Sequence, residues 1–173
     1  GATWNGGTIP QDGDYVYANG KTIQIGTGID IGDGTLSTEM CPNTGLGGGT
    51  FSSNTTTLEV VANLHGYNGN YVLTRPSNVG NTTIFNVIGN IYDYGIITNE
   101  GQSYPINING NVYGTFLHED YATNYPVTRN VVVNGNVYKN ARCSTRTSRN
   151  NTINLIVNGL CELDANMCSP MTS

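Results

Sequence analysis

Few residues in this chain are of types that do acid–base or metal chemistry, so their spacing decides what they could do. His118-Glu119-Asp120 is the one place where a histidine adjoins acids. Adjacent residues of an extended segment point to opposite faces and do not converge on a substrate, so a solvated loop is expected there. His65 closes an apolar run and reads as a packed or surface histidine. Glycoside cleavage needs two carboxylates facing one bond. The candidates Glu59, Asp93 and Glu162 fall at different places in their local patterns and form no such pair. Asp30 and Asp33, around Gly32-Asp33-Gly34, invite a calcium reading, but calcium collects six or more oxygens and an Asp-Gly turn accounts for them. The expectation is no enzyme, with no catalytic, cofactor-binding or metal-binding residue and no cofactor.

Two other residue sets bear on contacts. Cys41, Cys143, Cys161 and Cys168 lack the tight C-x2-C spacing of a zinc site. Cys161 and Cys168 are nearest in sequence and are the candidate disulfide, against free thiols. Lys139–Arg149 is a basic segment in an acidic chain, with Arg142, Arg146 and Arg149 as candidate contacts for an anionic glycan or a neighbouring copy. Tyr67, Tyr71, Tyr121 and Tyr125 fall between the repeated segments, on loops that could present a surface to sugar or protein. The alternative is that they cover the flank of the fold. Sequons at Asn54, Asn81 and Asn150 arise readily in an Asn/Thr-rich chain.

Composition narrows the class of partner. Charged residues make up 11% of the 173, so polarity rests on Asn, Thr, Ser and 23 Gly. A net charge of −5 argues against nucleic acid, and a neutral, hydrogen-bonding surface suits copies of the same chain, other proteins or sugars. No run of about 20 apolar residues is present to span a membrane. A first residue that is not Met fits a processed product or a fragment.

The elements that would hold these residues are set by a repeat. Ile106-Asn-Ile-Asn-Gly-Asn-Val-Tyr113 returns as Val131-Val-Val-Asn-Gly-Asn-Val-Tyr138. Related copies begin at Leu58, Ile84 and Asn154, with spacings of 27, 21, 25 and 24 residues between Asn63, Asn90, Asn111, Asn136 and Leu160. Such a period is the mark of a solenoid. Each copy alternates apolar and polar residues and ends at an Asn/Gly corner, where glycine is expected to supply positive φ. Ile108, Val133 and Val157 should lie above one another in the bore, and corner asparagines should ladder. The intervening segments, Tyr67–Asn81, Asp93–Pro105, Thr115–Asn130 and Asn140–Asn151, read as variable loops, as does Glu39–Asn54. Asn19-Gly20 is a turn signal, for a hairpin or a solenoid corner. The fold class is all-β, a short right-handed parallel β-solenoid with an N-terminal cap. An antiparallel β-sandwich or jelly roll is the alternative. One domain is expected, with residues 1–56 as cap and first coils, 57–163 as repeated coils and 164–173 as a C-terminal cap or tail.

The string W-N-G-G-x-x-P-x-x-G-D-x-V-x-A-N-G-K-T-I-x-I at Trp4–Ile25, followed by Gly47-Gly48-Gly49-Thr50-Phe51, resembles the opening of β-solenoid modules in bacteriophage structural proteins and bacterial surface proteins. The resemblance covers about the first 50 residues. It implies a structural, non-enzymatic role in a virion or extracellular assembly, such as a phage head fibre, capsid decoration or tail appendage. The partners implied are further copies or other proteins of that assembly. The alternatives are a secreted carbohydrate-binding or adhesin module that contacts a cell-surface glycan, and an extracellular filament subunit.

Overall fold

The alternation along Thr57–His65 translates directly into burial: Leu58, Val60, Ala62 and Leu64 are buried while Glu59 is exposed. The period of two places one set of side chains inside and the other outside, and every later copy follows it. A computed structural model describes Trp4 and residues 7–25, 28–39, 48–53, 57–74, 84–98, 105–119, 128–146, 152–162 and 168–171.

The strands fall into successive rungs. The first two rungs are β1 (Tyr15–Tyr17) with β2 (Thr22–Ile25), and β3 (Ile29–Ser37) with β4 (Thr50–Ser53). β5 (Thr57–His65) and β6 (Leu73–Thr74) form the third. β7 (Ile84–Ile88), β8 (Ile91–Asp93) and β9 (Ile96–Thr98) form the fourth. Then come β10 (Ile106–Asn109) with β11 (Thr115–Glu119), β12 (Thr128–Val133) with β13 (Arg142–Arg146), and β14 (Thr152–Val157) with β15 (Cys168–Met171). Sheet A runs β1-β3-β5-β7-β10-β12-β14, with β8 on β5, and sheet B runs β2-β4-β6-β9-β11-β13-β15. Every pairing between these strands is parallel. The chain is therefore a parallel β-solenoid, and the antiparallel sandwich is excluded.

Side chains stack in columns. Leu58, Phe85, Ile106, Val131 and Leu155 form one, and Val60, Val87, Ile108, Val133 and Val157 another. The expected superposition of Ile108, Val133 and Val157 is present. At the corner, Asn63 Oδ1 accepts the N–H of Asn90 at 2.9 Å, and Asn90, Asn111 and Asn136 do the same for Asn111, Asn136 and Leu160 at 2.9, 2.9 and 3.0 Å. The ladder thus runs from side-chain oxygen to the next backbone N–H, not from amide to amide. Amide-to-amide bonding occurs instead on the outer face, where Asn109, Asn134 and Asn158 link by two bonds of 2.7 Å.

The corner glycines serve a different purpose from the one expected. Of Gly89, Gly110, Gly135 and Gly159, only Gly89 has φ in the positive range, at 151°. A Cβ at any of the four would strike a backbone carbonyl of the preceding rung, so close approach of rungs fixes the residue type. Asn19-Gly20 has φ of 48° and 70° and makes the corner between β1 and β2, not a hairpin, since β1 pairs with β3 and β2 with β4.

Sheet B corrects the loop assignments. β4, β6, β9, β11 and β13 all lie within segments expected to be loops, and β15 occupies the segment expected to be a cap or tail. At the opposite end Trp4 is partly buried against the core, and residues 11–14 lie along β3. There Gly13 N donates to Ile31 O at 2.9 Å, Thr35 N to Asp14 O at 2.9 Å, and Asp33 N to Asp12 Oδ1 at 3.0 Å.

Candidate functional site

Three places on the stack hold the polar, aromatic or uncovered apolar groups from which a site could be made. The first is an aromatic stripe. Each Asn corner is followed two residues later by an aromatic in Asn90-Ile91-Tyr92, Asn111-Val112-Tyr113 and Asn136-Val137-Tyr138. Parallel register superimposes these tyrosines with ring centroids 5.2 and 4.7 Å apart and planes within 9° and 7°. His65 extends the line, 6.2 Å from Tyr92 and 3.1 Å from the Tyr15 hydroxyl. The stripe lies outside the segments expected to carry contact tyrosines; its signal in the sequence is the Tyr that closes the copies themselves. Both faces of Tyr113 are occupied by neighbouring rings, so the middle of the stripe presents a ring edge and a hydroxyl. A sugar ring stacks on a face, and both faces of Tyr113 are already used.

The second place is a polar cluster on sheet B. His118, expected in a solvated loop, is buried in β11 and its Nδ1 lies 2.8 Å from Ser144 Oγ on β13. Tyr71 stacks over the imidazole at 5.7 Å and meets Tyr94 edge-on at 5.5 Å. A serine within hydrogen-bond reach of a histidine is the geometry of an activated nucleophile. Here the pair lies under Tyr71, which is itself 8% exposed, so it closes a packed flank. Burial, with the nearby Tyr94 phenol adding, pushes the Tyr71 phenol well above its ordinary range, against a hydrogen bond from Ser144. Tyr71 is therefore a flank residue and not the contact surface expected. Tyr67 is exposed at a turn whose central residues Asn68 and Gly69 have φ of 50° and 80°.

The remaining sequence candidates do not converge. Tyr121, Tyr125 and Arg149 lie outside the described residues, and Arg146 ends β13 with its side chain outside them. Arg142 is not on a free loop: its guanidinium folds back on the carbonyls of Lys139 and Ala141 at 2.9 and 2.8 Å. Arg129 is fully buried in β12. The alternation of Thr128-Arg129-Asn130-Val131 points it inward, which a search for surface basic clusters overlooks. Asp93 Oδ1 accepts the N–H groups of Tyr94 and Thr115 at 3.0 and 2.8 Å; Asp93 is in register with His65, whereas Glu59 is in register with Asn86 and Glu162 follows the corner of the last rung, so the three share no column. Asp30 Oδ1 accepts the Gly32 N–H at 2.9 Å, as a turn requires. Among the described residues, no three His, Cys, Asp or Glu side chains group as a metal site, and no helix is long and apolar enough to cross a membrane. Cys161 is a free thiol bridged through its backbone to Val137. Cys168 is paired in register with Cys143 on sheet B, and its side chain lies outside the described residues, as does the expected Cys161–Cys168 disulfide that would rest on it.

The third place is the β14 end of the stack. β14 is the last strand of sheet A. Its inward residues Ile153, Leu155 and Val157 are only partly buried, whereas Val131 and Val133 one rung earlier are fully buried. Its outward Ile156 and the corner Leu160 are 55% and 57% exposed. The ladders also change here. Leu160 stands where earlier rungs have asparagine, Glu162 where they have tyrosine, and Ile156 in the column of Asn86 and Asn107. Comparison with protein-family models, curated proteins and solved structures finds no match to this chain.

Proposed function

We propose that this protein is a non-enzymatic structural component of a virion or extracellular assembly, of the kind represented by a phage head fibre, capsid decoration or tail appendage. The observation that carries the reading is the β14 end, where among the described residues no strand lies over the partly buried Ile153, Leu155 and Val157, and Ile156 and Leu160 are exposed. Exposed strand edges with apolar flanks associate with other chains, and an assembly component uses that property. The low-charge surface of laddered asparagines and the opening string at Trp4–Ile25 support the same reading.

The test is localisation. Antibodies raised against the purified chain should label sedimented extracellular particles or surface fibres from the source culture in electron microscopy. Label confined to the cell interior would reject the reading. Selective retention on a glycan array, abolished by changes at the exposed Tyr67 and Tyr92, would replace it with a carbohydrate-binding module.

A further inference from the structure

Tyr92, Tyr113 and Tyr138 lie on the fourth, fifth and sixth rungs, inside the stack. Tyr113 and Tyr138 have ring centroids 4.7 Å apart and planes within 7°, and Tyr92 and Tyr113 are 5.2 Å apart with planes within 9°. No other tyrosine pair among the described residues is stacked in parallel. Tyr71 and Tyr94 meet edge-on at 87°, and Tyr15 and Tyr17, in one strand, are tilted by 36°. The backbone fixes the register of the stripe: Tyr113 N donates to Ile91 O at 2.9 Å and Tyr138 N to Val112 O at 3.0 Å, with Val112 bridged to Val137. The rings face an outer flank, where Tyr92 is exposed and Tyr113 and Tyr138 are partly exposed.

We propose that Tyr113 and Tyr138 are a site of oxidative modification, joined ring to ring by a carbon–carbon bond when a haem peroxidase and hydrogen peroxide act on the chain. A phenol that loses one electron and its hydroxyl proton becomes a phenoxyl radical. Its unpaired electron lies in the π system, partly on the ring carbons next to the carbon that bears oxygen. That density stands above and below the ring plane, so two such radicals bond through their faces. The stacked rings already present those faces to each other, and holding reactants in that pose replaces a bimolecular encounter by an intramolecular one. As the bond forms, each bonding carbon releases its hydrogen as a proton and each oxygen takes one up, which restores two phenols. The chain has then lost two electrons and two protons, and one peroxide takes them up to become two waters. The amide groups of Asn111 and Asn136 stand as donors 3.5 and 3.4 Å from the Tyr113 and Tyr138 hydroxyls. Neither bond therefore holds the phenol proton that must leave.

Tyr138 is the partner of Tyr113 because it is the nearer and more nearly parallel of its two neighbours. The new bond turns the two rings out of the stack, which side chains on an outer flank allow. It ties the fifth rung to the sixth across 25 residues of chain, and closing such a span covalently restricts the unfolded chain as a disulfide does. A bond between Tyr15 and Tyr17 would lie within one strand and tie no rungs.

The purified chain, kept dilute and treated with a haem peroxidase and limiting hydrogen peroxide, should lose two hydrogens in mass, remain a single chain and gain the blue fluorescence of a biphenol. Trypsin cutting after Arg129 and Lys139 leaves Tyr138 as the one tyrosine of residues 130–139. That peptide should be recovered joined to the peptide that carries Tyr113. Tyr113→Phe and Tyr138→Phe keep a stacked ring without its hydroxyl, so circular dichroism should be unaltered while the joined peptide is lost from both. Tyr17→Phe should give it in full yield. The urea midpoint of the oxidised parent chain should rise above that of the untreated chain. Absence of the joined peptide would overturn the proposal, as would its persistence in Tyr113→Phe, a bond found only between two chains, or a midpoint that does not rise. None of these results bears on whether antibodies label extracellular particles, so the two readings fail separately.

Discussion

Tyr71 shows how one side chain is reassigned by its surroundings. It looked like a loop tyrosine offered to a ligand, and it is instead a lid on the His118–Ser144 pair, sealed at its edge by Tyr94. Its phenol is held protonated by burial well above the ordinary value of 10.0. The folded form therefore keeps its proton where the unfolded chain has lost it. Stability from this group is present below the unfolded pKa and falls as pH rises from there through the folded value. Tyr15 contributes in the same direction, raised by burial with Glu39 adding. Urea midpoints compared at about pH 8 and about pH 11 should fall less in Tyr71→Phe than in the parent chain. At the lower pH the same substitution should cost at most about 1 kcal/mol, because the ring keeps its packing against His118 and Tyr94. An identical alkaline fall in both proteins would remove Tyr71 from this account.

At the scale of the element, the corner is where the rungs meet most closely. A Cβ at Gly135 would collide with the carbonyl of Gly110 and lie 2.9 Å from Asn111 Oδ1, the atom that receives the next rung's N–H. Gly135→Ala should lower stability by about 1–3 kcal/mol by overpacking, while Gly69→Ala, with open space around it but φ of 80°, should lose less; denaturant titration reads both. The sheet A strands and their superposition were legible because the copies are long and strictly alternating, and the Asn and Val of each corner recur. Sheet B was not legible. Its strands are two to five residues long, and buried positions such as Ser52, Ser53 and Thr98 are polar. A period of two cannot be seen in so few residues, and buried hydroxyls read as loop. The aromatic stripe was partly legible from the closing tyrosines. The covering of His118 was not, because Tyr71 lies 47 residues away and meets it only through the coil geometry.

For the whole molecule, the bore is one continuous core running through all the rungs, so damage in the middle is not local. Val133 is fully buried between Ile108 and Val157. Val133→Asp should cost several kcal/mol, about 4 or more, by burying a carboxylate without a partner. The result should be loss of the strand signature in circular dichroism across the chain, whereas Val132→Asp, on the outward side of the same strand, should fold. A folded Val133→Asp protein would mean that the bore admits water or a cation.

The hydrogen bonds that join one rung to the next all lie along the length of the stack. When the structure is pulled along that line, the rung interfaces are loaded in series, and the rod is as strong as its weakest joint. Among the described residues, sheet B holds the second, third and fourth rungs through two paired positions at each joint, Phe51–Leu73 and Ser52–Thr74, then Leu73–Ile96 and Thr74–Ile97. Sheet A holds the same rungs through five positions between β3 and β5, and through five between β5 and β7 with two more between β5 and β8. Under tension these two joints gape on the sheet B side while sheet A acts as the hinge, so the rod bends before it parts, around its third rung and in one direction.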